Sequence, residues 1–276
     1  MTNHNPTFTS SAASGSFSEN SNTTGSGSLH QLTGTMKFKD SDRLDSHTTS
    51  AVLRTVSWTG GSTIPSSSLV DLNTAMSSTI LTDSNGSGEL RWSFSAADSE
   101  FDFLARHERL VLTYDIFVND NHGGTAKRTV TVTITGTDDR PVIEFGTTAE
   151  VTEQAGQTLS LSHDTANIAV NFVDPDLNNT GHTATVIGVS AAGVTTGLLP
   201  GFLGEIELRS FFHVDNVVKA GGSSTGTINT TFSAPDLAFD YLAEGETLDI
   251  TYTLRPQRPG RRHQQPDRGG DGRRHQ

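Results

Sequence analysis

One stretch of this chain occurs twice, and that repetition limits the possible folds more than any other feature. GELRWSFSAADSEFDFLARHERLVLTY, from Gly88 to Tyr114, aligns with GTINTTFSAPDLAFDYLAEGETLDITY, from Gly226 to Tyr252, at an offset of 138. Nearly half the aligned positions are identical, among them Phe94/Phe232, Asp98/Asp236, Phe101/Phe239, Asp102/Asp240 and Tyr114/Tyr252. Upstream, Glu19 matches Glu153 and Phe38-Lys-Asp40-Ser-Asp42 matches Phe172-Val-Asp174-Pro-Asp176, both at an offset of 134. Two modules of one fold are therefore expected.

The periodicity inside each module is that of strands. Leu110, Leu112, Tyr114, Ile116 and Val118 alternate with Val111, Thr113, Asp115 and Phe117, and Val130, Val132 and Ile134 alternate with threonines. Between these runs, Asn119 to Gly124 reads as a turn in which Gly123 and Gly124 can take positive φ. Further strands are expected over Thr35–Lys39, Ala51–Trp58 and Gly88–Ser95, with a poorly defined one near Phe17. Leu69, Leu72, Met76 and Ile80 fall at i, i+3, i+7 and i+11, which predicts a short helical insert over 66–80. A more apolar insert is expected in the second module, around 198–214. Short strands with Gly- and Asn-rich turns predict antiparallel β-sandwiches of immunoglobulin-like type.

Composition agrees. Hydrophobic residues make up 33% of the chain, too few for one large core. With no cysteine there are no disulfides, no thiolate metal ligands and no cysteine nucleophile. The charge is uneven. From Arg255 onward seven arginines face Asp267 and Asp271, a balance of +5, so the first 254 residues carry −17 of the total −12. Such a body repels nucleic acid and anionic lipid and attracts cations. The N-terminus MTNHNPTFTS has neither a basic nor an apolar region, so no signal peptide is expected within it, and no apolar run is long enough to span a bilayer.

The FDFLA block with its later E, L and TY, the turn Asp120-Asn-His-Gly-Gly-Thr125, the strand TVTVTITGT and the junction Thr137-Asp138-Asp139-Arg140-Pro141-Val142-Ile143 together resemble the VCBS repeat. FDYLAEGETLDITY in the second module carries the same signature. The resemblance covers nearly all of 6–254. It implies extracellular cadherin- or immunoglobulin-like sandwiches in tandem within large bacterial adhesins and RTX-type secreted proteins. They would act as stalk or contact modules and are often linked to calcium.

On the cadherin analogy, Asp102, Asp138, Asp139, Glu153, Asp174 and Asp176 would converge on the junction between the modules. Asn5, Glu19, Asp40 and Asp42 would serve the preceding junction. Asp174-Pro-Asp176-Leu-Asn178 places oxygen ligands at alternate positions, as a hard cation such as Ca2+ requires. It is no EF-hand, because Asn179 and Thr185 stand at its sixth and twelfth positions. In the first module Leu44 takes the third place, with Asp45 nearby. Turn capping by the same aspartates accounts equally for their spacing.

The ten histidines show no H-x-x-x-H spacing, and His47 and His182 recur as loop residues after the D-x-D segments. No G-x-S-x-G elbow, phosphate loop or RTX nonapeptide is present, so no enzyme is expected. Trp58 and Trp92 sit in strand contexts and read as core.

The reading is thus all-β: two tandem Ig/cadherin-like antiparallel β-sandwiches with short helical inserts, the second incomplete. Residues 1–5 end a preceding linker, 6–140 form the first repeat, 141–254 a truncated second, and 255–276 a basic tail without structure. The function expected is that of a calcium-stiffened adhesin segment at the cell surface. Its partners would be neighbouring repeats, surface proteins or glycans, with no nucleic acid and no membrane insertion. Its export signal would lie elsewhere in a parent protein or be lost. The alternative is a carbohydrate- or ligand-binding module, which clustered exposed aromatics would favour.

The tail RPQRPGRRHQQPDRGGDGRRHQ stands where a turn and a closing strand are due. From Arg261 onward, a GC-rich codon choice exists that reads, one nucleotide later, as Gly-Gly-Thr-Ser-Asn-Gln-Thr-Val-Ala-Val-Thr-Val-Ala-Gly-Thr. That is close to GGTAKRTVTVTITGT beginning at Gly123. A frameshift at the end of the second module is the expectation; a basic arm for nucleic acid or membrane is its competitor.

Overall fold

A computed structural model describes residues 2–61, 63–196 and 205–258. In the first module, β1 (Thr7–Phe8), β3 (Leu29–Lys39), β6 (Ser87–Ala97) and β5 (Met76–Ser84) form one sheet in the order β1-β3-β6-β5. The other sheet has the order β2-β8-β7-β4, from Ala13–Ser18, Thr125–Thr135, Arg109–Asn119 and Thr48–Trp58. All pairings are antiparallel except β2 with β8, which is parallel. Two facing sheets in this order are an immunoglobulin/cadherin-like sandwich.

The alternation read from the sequence is what builds the core. Leu110, Leu112, Tyr114, Ile116 and Val118 of β7 and Val130, Val132 and Ile134 of β8 are fully buried. Each such side chain contributes about 1.5–3 kcal/mol of burial. They pack in a single cluster with Phe38, Leu90, Trp92, Phe94 and Phe101. The Tyr114 hydroxyl donates to Leu72 O at 2.6 Å and ties the sheet to α1 (Ser66–Thr74).

Several boundaries differ from the sequence reading. Every strand expected in this module is present but longer, and β1 and β5 were not anticipated. The helix stops at Thr74, and Met76 and Ile80 lie on β5, opposite Phe94 and Leu90. One spacing served two periods here: Leu72 is buried from the helix, whereas Met76 and Ile80 alternate inward from a strand. At the β7–β8 turn the positive φ values belong to Asn121 (62°) and Gly123 (103°), not to Gly124.

The second module repeats the middle of this plan. β9 (His163–Val173), β12 (Thr225–Pro235) and β11 (Phe212–Lys219) form a sheet in the order β11-β12-β9, and β10 (Thr183–Gly193) pairs with β13 (Leu248–Gln257). These match β3, β6, β5, β4 and β7 of the first module. The insert contributes α2 (Glu205–Ser210); residues 197–204 of it lie outside the described part. Where β1 would stand there is one bridge, Val142 to Val173. Among the described residues no strand stands in the place of β2 or β8.

The core of this module is also less covered. Leu248, Ile250, Tyr252 and Leu254 are only half-buried, whereas their counterparts on β7 are fully buried. The buried residues split into two clusters, one around Phe232 and Phe239 and one of Val170, Phe172 and Ile228. The boundary expected at Leu254 is corrected. Arg255, Pro256 and Gln257 continue β13, paired with Thr185, Ala184 and Thr183, because β10 supplies the same partner there that β4 supplies to the end of β7. Residues 259–276, on which the expectation of an unstructured, frameshifted tail falls, lie outside the described part.

Candidate metal centre at the module junction

The two modules meet through short polar contacts. The Leu177 N–H donates to Phe103 O at 3.3 Å. Asn178 Nδ2 donates to Gly60 O (2.7 Å) and to Glu108 Oε1 (2.8 Å). Gly60 makes that approach possible, since a Cβ there would collide with the Asn178 and Glu108 side chains. Through Nδ2, Asn178 thus clasps the two modules together. Glu108 Oε2 also accepts from Trp58 Nε1 (2.9 Å) and the Ala105 N–H (3.1 Å), so the clasp is anchored on the first module.

Beside the clasp, carboxylates converge. Glu19, at the end of β2, Asp102, after the 3-10 turn Asp98–Glu100, and Asp139, in the linker, each offer an oxygen within 4.8 Å of the others. Asp176 adjoins them: its Oδ2 accepts the Asp139 N–H at 2.8 Å and Asn179 Nδ2 at 2.9 Å. Backbone groups hold the cluster in place. The Thr137 N–H donates to Glu19 Oε2 (2.8 Å), Gly25 N–H to Asp102 Oδ2 (2.7 Å) and Thr23 N–H to Asp139 Oδ1 (3.1 Å). The Thr24 hydroxyl reaches Asp139 Oδ2 at 3.2 Å.

The remaining oxygens test whether a cation fits. Glu19 Oε1, Asp102 Oδ1 and Asp176 Oδ1 are buried and have no hydrogen-bond partner. Glu19 and Asp176 are 3% and 0% exposed, so their free oxygens have no water to turn to. Burial pushes the Glu19 pKa up to about 9; the charges of Asp139, Asp176 and Asp102 add to it and the Thr137 N–H opposes it. Burial likewise pushes Asp176 up to about 8 and Asp102 to about 6, and raises Asp139. Four carboxyls facing one another without a cation favour protons. A hard divalent ion satisfies the same orphaned oxygens with oxygen ligands alone. The donor set fits calcium.

The other candidates divide. Asp138 lies at the edge, with Asn179 Nδ2 at 3.5 Å and Arg258 Nη1 at 3.9 Å. Asp174 is fully engaged: Oδ1 accepts the Asp176 N–H at 3.2 Å and Oδ2 contacts His182 Nε2 at 2.6 Å. Turn capping is therefore its role. Glu19 belongs to this junction and not to the preceding one, because β2 runs parallel to β8 and ends where β8 enters the linker. Glu153 does not reach it. The following N–H, of Gln154, donates to Asp236 Oδ1 at 2.8 Å, at the opposite end of the second module.

That far end copies the junction. Gln154 N–H to Asp236 and Leu159 N–H to Asp240 Oδ2 (2.7 Å) repeat Asn20 N–H to Asp98 and Gly25 N–H to Asp102. Asp236 Oδ2 and Asp240 Oδ1 are buried without a partner. At the near end of the first module, Asp40, Asp45 and Asp120 form a second group. Asp120, which the sequence reading missed, accepts from Asn3 Nδ2 and from the His122 and Gly124 N–H groups. Burial opposes ionisation there, but these bonds outweigh it and hold its pKa low. Asp40 Oδ1 caps the Asp42 N–H (2.9 Å), and Asp42 accepts the His4 N–H (2.7 Å). Asn5 Oδ1 lies beside Gly124. This group is largely satisfied by turn chemistry.

Both loop histidines are structural. His47 Nε2 contacts Asp40 Oδ2 at 3.1 Å and Nδ1 contacts Asp83 Oδ1 at 3.0 Å; burial opposes its charge, yet the two carboxylates raise its pKa. In the second module Lys219 braces the loop instead. Its Nζ donates to Asp176 O (2.6 Å), Asn179 O (3.0 Å) and Leu177 O (3.3 Å). Nothing in the sequence pattern marks that lysine, which ends the otherwise mixed apolar and polar strand β11.

No protein-family model matches the chain, and no curated protein sequence matches it. Among solved structures, mouse cadherin-23 repeats EC22–24 are 13% identical with a TM-score of 0.32, covering 91% of this chain and 63% of that one. Mouse clustered protocadherin PcdhgC3 EC1–3 is 14% identical with a TM-score of 0.28, covering 91% and 66%. The Ig1–2 module of the Drosophila receptor protein tyrosine phosphatase DLAR is 9% identical with a TM-score of 0.25, covering 92% and 95%. The fold assignment rests on the strand order described above.

Proposed function

We propose that this chain is a segment of an extracellular tandem array, of VCBS-repeat type, whose modules are stiffened at their junctions by calcium and serve cell adhesion. The observation that carries the reading is the set of buried, partnerless oxygens of Glu19, Asp102 and Asp176, drawn from both modules and closed by linker Asp139. Glu19, Asp102, Asp139 and Asp176 would hold the ion, which supplies the positive charge the site lacks. The partners would be adjoining repeats, surface proteins or glycans. The far-end group of Asp236 and Asp240 fits the same scheme as a half-site for a following module.

The ligand-binding alternative calls for aromatics clustered on an exposed face. Among the described residues Phe145 is the one strongly exposed aromatic, and both tryptophans pack inward. No helix among these residues is long and apolar enough to cross a membrane.

The test is a calcium titration with thermal melting and small-angle scattering on wild type and Asp176→Asn. Calcium should raise the wild-type melting temperature and narrow the distribution of inter-module distances, and the variant should do neither. A wild-type melt unmoved by millimolar calcium, or an equal response from the variant, removes the assignment.

A further inference from the structure

One difference between the repeats puts a carboxylate where the first module has a histidine. His30 on β3 pairs with Ala96, and Asp164 on β9 pairs with Ala234, the same place in the repeat. In the first module His30 Nε2 lies 2.7 Å from Asp98 Oδ1, and the Asp98 side chain is wholly buried. The other oxygen of Asp98 accepts from the Thr23 hydroxyl at 3.0 Å, so both oxygens are partnered.

The counterpart of Asp98 is Asp236, and it faces a second carboxylate instead. Asp164 and Asp236 are 6% and 0% exposed. Gln154 spans the pair: its N–H donates to Asp236 Oδ1 at 2.8 Å and its Nε2 to Asp164 Oδ1 at 3.2 Å. Each carboxylate keeps a second oxygen, Oδ2 in both, that is buried without a hydrogen-bond partner. Burial raises the Asp164 pKa, the Gln154 bond opposes the rise, and the charge of Asp236 adds to it. His163 does not stand in for His30. As the adjacent strand residue it takes the other face of β9, where it is exposed and its Nδ1 lies 2.8 Å from Ser233 Oγ. Two facing buried carboxylates with unpaired oxygens call for a positive charge between them, or a proton.

We propose that Asp164 and Asp236 hold a hard divalent cation within the second module, at a site separate from the junction and closed by that module's own residues. Asp240 adds a third buried oxygen: its Oδ2 accepts the Leu159 N–H, and its Oδ1 has no partner. The cation does here what the His30 imidazole does in the first module, and an all-oxygen donor set suits a calcium-sized ion. Asp164, which has no carboxylate counterpart in the first module, is what lets the ion bind without ligands from a following module. With few carboxylates and water in the remaining positions, the affinity lies at the weak end for such sites, roughly 0.1–1 mM. The site stands on its own geometry, independent of any ion at the junction.

Equilibrium dialysis of the full chain against calcium, up to about 5 mM, counts the bound ions. Asp164→His, which installs the first module's arrangement, should bind one ion fewer per chain than wild type. Asp164→Asn should lose the same ion. Asp176→Asn, at the junction, should lose a different one, so Asp164→His combined with Asp176→Asn falls by the sum of the two losses. In the Asp176→Asn chain calcium should slow hydrogen exchange at the Gln154 N–H, and adding Asp164→His should abolish that slowing. Loss of an ion in Asp164→His but not in Asp176→Asn supports this site and removes the junction reading. Equal ion counts for wild type and both Asp164 variants overturn the proposal. So does an Asp176→Asn chain whose melting and Gln154 exchange respond to pH and not to calcium, since the pair then holds a proton only.

Discussion

Replacing Glu19 by glutamine should have opposite consequences with and without calcium. The folded state holds the Glu19 carboxyl at a pKa of about 9, against an ordinary value of 4.5. A carboxyl raised in this way stabilises the fold below its unfolded pKa, and that contribution is lost as pH climbs from about 4.5 towards about 9. At pH 7 about 2.5 of those units have been crossed, each worth ~1.4 kcal/mol, so the calcium-free protein has given up about 3 kcal/mol. Glutamine keeps an oxygen for the Thr137 N–H and never ionises. In EDTA at pH 7, Glu19→Gln should therefore exceed wild type by about 3 kcal/mol, or roughly 10 °C in the melting temperature of a module this size. At pH 4 the two should coincide. With calcium at a hundredfold excess over Kd, wild type recovers about 2.7 kcal/mol and the variant recovers none, so the gap closes. Calorimetry and urea denaturation at pH 4, 6 and 8, with EDTA or calcium, decide the matter. A variant less stable than wild type in EDTA at pH 7, or a gap that ignores pH, refutes the account of the cluster.

Tyr114→Phe removes a buried hydroxyl and its bond to Leu72 O, which keeps only the longer bond from the Ala75 N–H (3.4 Å), a loss of about 1 kcal/mol in urea denaturation. The same change at Tyr252, whose hydroxyl binds Leu208 O at 2.7 Å in a half-buried setting, should cost less. Leu112→Ala, at a fully buried site, should destabilise its module by about 3 kcal/mol, and Ile250→Ala, at a half-buried site beside the Phe232 cluster, by about 1 kcal/mol. Asn178→Ala severs the clasp to Gly60 and Glu108. It should speed proteolysis within 136–141 while leaving the two melting transitions in place.

The sequence alone determined the strand alternation, the two-module repeat and the acidic residues of the linker. Side-chain period and turn chemistry are local properties, and Leu110 to Val118 or Val130 to Ile134 carry them openly. The cadherin analogy grouped Asp102, Asp138, Asp139, Glu153, Asp174 and Asp176 at one junction, and of these Asp102, Asp139 and Asp176 meet there. Which carboxylates face one another was decided only by tertiary structure. Glu19 joins that group through the parallel pairing of β2 with β8, a contact between residues 117 positions apart that no local pattern encodes. Asp174 and Asp176 stand two residues apart and look alike in the sequence. The fold spends Asp174 on His182 and a turn, and leaves Asp176 with a free buried oxygen. The strand at Met76–Ser84 was hidden for a similar reason: its apolar residues continue the spacing of the preceding helix, and only pairing with β6 settles the period. Burial and pairing are properties of the assembled sheets, and they alone turn a list of aspartates into a site.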